Sequence, residues 1–183
     1  SRSLSAVISS GLTGIVMAII VILLFLSDFR ATLIIGISIP LSILFTFIGM
    51  RLFGMTFNLM SLSGLVIALG MIVDGSIVML EQVYRYYTQK DGRGLAAFSV
   101  SESVFRASDE VGSSIFASTA TTIAVFVPIA MLSGLIGMVL KDISITLIFA
   151  LLASFLVAVI VVPFLMKVLL KEGGPKNTKT SRF

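Results

Sequence analysis

The stretch "LVIALGMIVDGSIVML", residues 65–80, decides the fold, because it holds one carboxylate, Asp74, inside an otherwise apolar run. No lysine or arginine occurs between Leu52 and Tyr84. A bilayer-spanning helix needs about 20 mostly apolar residues, and the residues on either side of the stretch extend the run to that length. The sequence therefore predicts a helix that crosses a membrane and carries an acid near its middle.

The rest of the chain has the composition of a membrane protein. Of its 183 residues, 57% are hydrophobic and 12% are charged, whereas soluble domains are about 45–50% apolar and about 25% charged. Five segments are apolar over about 20 residues and lack the period-2 alternation of barrel strands, which favours helices. They are about Ala6–Leu26, Ala31–Met50, Phe57–Val83, Val111–Leu132 and Ile143–Met166.

These segments predict an all-α membrane protein, a polytopic bundle of about five transmembrane helices in a lipid bilayer. The bundle is expected over residues 6–166. Within it, Tyr84–Glu110 is rich in charged residues and contains the turn "KDGRG" (90–94), so we expect a solvated loop with short helices there. Residues 167–183 are predicted to form a polar tail or linker.

The basic residues predict which helix ends face the cytoplasm. Ten of the 13 lysines and arginines fall on the side of the Tyr84–Glu110 loop and the tail, so this side and the C-terminus are expected in the cytoplasm and the N-terminus outside. The net charge of +4 could also indicate nucleic acid, but the bases are spread thinly beside the membrane spans, so no nucleic-acid partner is expected. An N-terminus outside the membrane without a cleavable signal suggests a piece of a longer protein.

Residue types that the sequence lacks exclude several kinds of chemistry. Cysteine and histidine are absent, which removes disulfides, thiolate metal sites and the commonest metal ligand. No nucleophile–base pair or phosphate-binding loop is recognisable either. We therefore predict neither an enzyme nor a bound metal or organic cofactor.

Asp74 is the candidate functional residue. It lies eleven residues before Arg85, which on a helix is about 16 Å, or half of a hydrocarbon core about 30 Å thick. Burial at that depth disfavours the charged form of the carboxyl. A protonated Asp74 that makes one interhelical hydrogen bond is one interpretation, and a proton or ion relay is the other and favoured one. Because no base of this chain reaches that depth, a cationic partner would come from another segment.

The neighbours of Asp74 on the same helix predict a packed site. Gly70 and Gly75 allow another helix to approach closely. Glu81 lies two turns on, on the same face, and is either a station for protons or an acid that is simply hydrated near the membrane surface. If two copies of the chain associate, we expect small residues such as Gly64 and Gly75, together with Ala68, to be buried between them.

A hydroxyl stripe is predicted on the span that follows the loop. Ser114, Ser118 and Thr121 fall at positions i, i+4 and i+7 of one helix face. One interpretation is tight packing of small residues. The other is a path of hydroxyls and water beside Asp74.

Several stretches together resemble the resistance-nodulation-division (RND) transporters, most closely their hydrophobe/amphiphile efflux branch. They are "FLSDFRATLI" (25–34), "PLSILFTF" (40–47), "NLMSLSGLVIALGMIVDGSIVMLEQV" (58–83), "FVPIAMLSGLIG" (126–137) and "ISITLIFALLASFLVAVIVVPFL" (143–165). The match covers nearly the whole chain before the tail. By this resemblance the chain is similar to spans two to six of the first six-helix repeat.

The resemblance implies a function and partners. The family couples inward proton flow, with protons as the coupling ion, to export of amphiphilic compounds. The chain would supply the proton-relay acid, and its partners would be the remaining transporter repeat and the extracytoplasmic porter domain. The assembly would be an oligomer in the bacterial inner membrane, a trimer in the drug-efflux branch. A membrane anchor or sensing scaffold of related fold, of the sterol-sensing type, is the alternative.

The resemblance also assigns roles to single residues. Asp74 matches the first acid of a pair that contacts a lysine of the second repeat, and Glu81 matches a glutamate further along the helix. Gly75 stands where drug-efflux members usually carry the second acid. This departure bears on the number of protons moved, and members with one acid and a small neighbour are similar.

Overall fold

The computed structural model describes residues 29–90 and 97–170, together with seven helical positions between residues 9 and 20. Four helical rods in this part of the chain are long and apolar enough to cross a membrane, which confirms an all-α membrane bundle. The predicted span Ala6–Leu26 lies largely outside the described residues. The helices are α1 (Phe29–Leu52), α2 (Leu59–Thr88), α3 (Val100–Ala130), α4 (Gly134–Leu156) and α5 (Val162–Leu169). A π-helical turn, Val157–Val161, joins α4 to α5 as one rod.

Two helices are longer than predicted, which corrects the expectation of a loop over Tyr84–Glu110. The first five of these residues continue α2 and the last eleven belong to α3. The side chain of Ser99 caps α3 by accepting the backbone N–H of Glu102 at 3.2 Å, as a serine at an N-cap does. The charged residues thus lie on helix ends that reach beyond the apolar spans. The helix predicted to start at Ile143 begins at Gly134 instead.

Helix α2 is the centre of the bundle, because it contacts α1, α3, α4 and α5. It packs closely against α4 at Gly64, where a Cβ atom would lie 3.0 Å from the backbone oxygen of Ile143 and 3.2 Å from Cβ of Thr146. Ala68, one turn later, is fully buried. Gly64 and Ala68 therefore pack inside the bundle, and the expectation that they lie between two copies of the chain is wrong.

Polar side chains form hydrogen bonds at one end of the contact between α2 and α4. Asn58 precedes α2, and its side-chain oxygen accepts the backbone N–H of Ser61 at 2.8 Å, while the Ser61 hydroxyl oxygen accepts the backbone N–H of Asn58 at 2.9 Å. The amide nitrogen of Asn58 donates to Asp142 on α4 at 2.5 Å. Asp142, which the sequence placed before the last span, is thereby held within the bundle.

At the opposite end of the bundle, polar side chains connect the other termini of the helices. Arg30 on α1 donates to the backbone oxygen of Leu169 on α5 at 3.4 Å, and Tyr86 on α2 donates to Glu110 on α3 at 2.6 Å. Arg30, Arg85, Arg106 and Lys167 lie on the helix segments that meet here, whereas Arg51 and Lys141 belong to the Asn58 end. The described bases thus segregate between the two ends as the sequence predicted.

The π turn between α4 and α5 ends two residues before a proline. Pro163 follows it, and proline has no backbone N–H and a ring that clashes with the carbonyl four residues earlier. In the π turn the N–H of Val162 donates to the oxygen of Val157, five residues back, so the helix is wider just before the proline. Single π turns inside α-helices are frequent at functional sites.

Candidate functional site

Asp74 lies in the middle of the central helix. It is the sixteenth of the 30 residues of α2, with long apolar stretches on both sides. Unlike the neighbouring Val73, which is buried, Asp74 is exposed at the surface of the chain. The free energy of insertion rises by about 2.5–3.5 kcal/mol when an acid at the centre of a membrane-spanning helix faces lipid. The groups that surround Asp74 therefore determine its role.

A cleft of about 290 Å³ adjoins Asp74. It lies between α2, α3 and α4. Its polar lining consists of Asp74, Ser118, Thr119, Thr122 and Ser154. The remaining lining residues are glycines and apolar side chains: Gly70, Met71, Val73, Gly75, Ile77, Ile115, Leu151 and Phe155. No lysine or arginine among the described residues lines the cleft. The carboxyl of Asp74 thus belongs to a polar site and does not stand alone on an apolar surface.

Gly75 brings the three helices together at this site. A Cβ atom at Gly75 would lie 3.2 Å from Cγ2 of Ile115 on α3 and 3.4 Å from Cβ of Ala158 in the π turn. The first of these distances is shorter than ordinary van der Waals contact, so a larger residue would require the Ile115 side chain to move by a few tenths of an ångström. The close packing explains why the position next to Asp74 is occupied by glycine.

Three of the four hydroxyls around the cleft donate their protons to backbone oxygens. Ser118 donates to Ile115 at 3.1 Å and Thr122 donates to Ser118 at 2.9 Å, both within α3. Ser154 on α4 donates across to Ile72 on α2 at 2.5 Å. A hydroxyl that has donated its proton still has lone pairs that accept hydrogen bonds. These three side chains can therefore accept from water or from a protonated carboxyl.

The structure brings together some of the residues singled out in the sequence. Asp74, Gly70, Gly75 and Ser118 all line the cleft. Glu81, Ser114 and Thr121 are exposed and do not line it, and the Thr121 hydroxyl donates to the oxygen of Ala117 at 2.8 Å.

Sequence reasoning missed three hydroxyls of the cleft: Thr119, Thr122 and Ser154. Thr119 and Thr122 belong to a face that also holds Ile115 and Ser118, at i, i+3, i+4 and i+7. Ser154 had a clearer signal, because it is the only polar side chain between Leu147 and Met166. A lone hydroxyl in such a run requires a partner inside the bundle.

Potential metal ligands do not cluster in the described part of the chain. No group of three or more His, Cys, Asp or Glu side chains comes together among the described residues. What the cleft offers is one carboxyl with hydrogen-bond acceptors around it, and such a group is chemically able to bind and release a proton.

Comparison with known proteins agrees with this architecture. A family model described as the AcrB/AcrD/AcrF family matches residues 1–183. The chain is 38% identical over 184 residues to the swarming motility protein SwrC of Bacillus subtilis. It is 35% identical over 180 residues to the multidrug resistance protein MdtC of Pantoea ananatis, and 32% identical to MdtC of Escherichia coli K12.

The matches cover nearly all of this chain but only a small part of each relative. Each covers 98% of this chain but 17% of the relative, so the chain spans about a sixth of the length of these curated relatives. The four apolar helical rods and the family together indicate a multi-pass membrane segment. Because the family model extends over all 183 residues, the chain belongs to the AcrB/AcrD/AcrF family of RND transporters.

Proposed function

We propose that this chain is the part of a proton-driven RND efflux transporter in which Asp74 takes up and releases the coupling proton. The observation that carries the proposal is the place of Asp74, mid-way along the central helix and on a cleft lined by hydroxyls. Neutral Asp74 can donate to the surrounding acceptors, whereas the carboxylate requires water or a cation. A change of protonation therefore changes which arrangement of the helices is stable.

Export of amphiphilic compounds belongs to the same proposal. Two relatives carry the name multidrug resistance protein and a third is named for swarming motility. Recognition of the exported compound is assigned to the extracytoplasmic porter domain of the parent transporter, and the second repeat is expected to cover the exposed side of Asp74. We propose an oligomeric assembly, a trimer, in the bacterial inner membrane.

The proposal predicts substrate-dependent proton flux. In proteoliposomes that hold the full-length parent and a pH-sensitive dye, an amphiphilic substrate added under a proton gradient should accelerate proton movement several-fold. Liposomes with parent protein but without substrate are the control. Substrate movement without any proton movement would contradict the relay, and movement of neither would favour the sensing scaffold.

The orientation is a further part of the proposal, with the Arg30 and Tyr86 end in the cytoplasm. Because the chain has no cysteine, single cysteines can report it. Thr88→Cys at the end of α2 should react with a membrane-impermeant maleimide only after the cells are opened. Ser133→Cys, in the exposed turn before α4, should react in intact cells after the outer membrane is permeabilised. The reverse pattern would overturn the orientation.

A further inference from the structure

Ser154 makes a hydrogen bond between two helices to a backbone oxygen, unlike many hydroxyls of the described spanning helices. Several of those donate to their own helix, as Ser38 does to Ile34 at 2.8 Å and Thr146 does to Asp142 at 2.8 Å. Ser154 instead crosses from α4 to the backbone oxygen of Ile72 on α2, at 2.5 Å. Its side chain is buried, with 5% of the residue surface exposed. The bond is thus a fixed link between two helices.

The carbonyl that receives this bond belongs to the turn that carries Asp74. In an α-helix the oxygen of residue 72 also accepts the N–H of residue 76, so Ser154 adds a second hydrogen bond to a carbonyl of the regular ladder. Asp74 and Gly75 lie between these two residues. The link from α4 therefore acts on the backbone that orients the Asp74 side chain.

A steric contact holds the same turn from the same side. Ala158 lies four residues after Ser154, so both face α2. Ala158 packs against Gly75, because a Cβ atom built on Gly75 would lie 3.4 Å from Cβ of Ala158. Ile115 packs against Gly75 from α3. The Ser154 bond resists sliding of α2 along α4, while the contacts at Gly75 set the separation between the helices.

We propose that Ser154 is a positioning residue for Asp74, which holds the carboxyl in register with the hydroxyls of Ser118 and Thr122 on α3. This inference rests on the proposed function, because it concerns the group that binds the proton. Ser154 acts through the backbone oxygen of Ile72. Without the hydroxyl, α2 can shift along α4 and the carboxyl leaves its place in the cleft.

The test uses the full-length parent and measures the rate of proton-driven export against substrate concentration. Ser154→Ala should lower the maximal rate roughly tenfold, since misplacing a reacting group by about 1 Å can lower rates up to a hundredfold. The substrate concentration at half the maximal rate should stay the same, because substrate is recognised elsewhere. Ser154→Thr keeps the hydroxyl and should restore at least half of the wild-type rate.

Thr146→Val is the matched control. It also removes a buried hydroxyl from α4, but that hydroxyl bonds within α4, and the replacement keeps the shape of the side chain. It should transport like the wild type. If Ser154→Ala does not accumulate in the membrane, Ser154→Cys, which is nearly the same size and a weak donor, takes its place with the same expected loss.

The outcomes separate this inference from the function on which it rests. A Ser154→Ala protein with wild-type maximal rate, or one that Ser154→Thr fails to rescue, overturns the positioning role. If Asp74→Asn is inactive while Ser154→Ala is normal, only the positioning role is lost. If Asp74→Asn transports normally, both the relay and the positioning role are wrong.

Discussion

Replacement of Asp74 by asparagine in the full-length parent is expected to lower proton-driven export roughly a hundredfold or more, the range for loss of an acid–base group. The amide keeps the size and the hydrogen-bonding capacity of the acid but cannot bind and release a proton. A relay group must be neutral in one state of the cycle and charged in another. With asparagine the equilibrium between the two states no longer depends on proton binding, although the chain folds as before.

Export in whole cells, normalised to the amount of protein in the membrane, measures this effect. Asp109→Asn is the matched control, because Asp109 is an exposed acid on α3 that does not line the cleft. It should export like the wild type. If Asp74 were only a neutral side chain in an interhelical hydrogen bond, asparagine would replace it well. Near-normal export by Asp74→Asn would therefore rule out the relay.

A large effect on the stability of the contact between α2 and α4 is expected at Gly64. Gly64→Ala places a Cβ atom 3.0 Å from the backbone oxygen and 3.2 Å from the Cα of Ile143. Backbone atoms cannot rotate away as a side chain can, so α2 and α4 must separate along their main contact. We expect the free energy of unfolding to fall by about 1–3 kcal/mol, as in other overpacked cores.

Gly70→Ala provides the comparison on the same helix. A Cβ atom at Gly70 meets nothing within 4 Å, so the substitution should be neutral or stabilise α2 by up to about 1 kcal/mol through helix propensity. Unfolding of the purified chain in detergent, followed by circular dichroism, measures both variants. Equal stability of the two proteins would mean that the Gly64 contact does not hold α2 and α4 together.

Sequence periodicity and length predicted the helical rods because a bilayer imposes a simple requirement on them, about 20 apolar residues. Their ends were harder to predict. The residues Tyr84–Thr88 and Val100–Glu110 are polar enough for a loop, yet they continue α2 and α3. Hydrogen bonding between Tyr86 and Glu110 and the cap at Ser99 stabilise these extensions. Tyr86 and Glu110 are 24 residues apart, so no local pattern reveals their contact. The cap at Ser99 is local, and the S-x-x-E pattern of residues 99–102 is typical of a helix start.

The position of Asp74 followed from the sequence, but the rest of its cleft did not. The predicted stripe consists of Ser114, Ser118 and Thr121. The face of α3 that lines the cleft is rotated from this stripe and shares only Ser118 with it. Contact between Ile115 and Gly75 fixes the actual face, and that contact depends on which helix α3 packs against. Ser154 joins the site from a residue 80 positions further along the chain (154 against 74), which only the folded arrangement shows.

The exposed Asp74 has a consequence for how such a chain enters the membrane during synthesis. Twelve leucine, isoleucine and valine residues lie between Leu59 and Val83, and at about 0.3–0.6 kcal/mol each they favour insertion by roughly 4–7 kcal/mol. The penalty for a central aspartate is about 2.5–3.5 kcal/mol, so these apolar residues offset it before the smaller costs of the other polar residues of the segment are counted. Helix α2 can therefore leave the translocon for lipid while its acid is still uncovered. Insertion of α2 then does not require that another helix already cover Asp74.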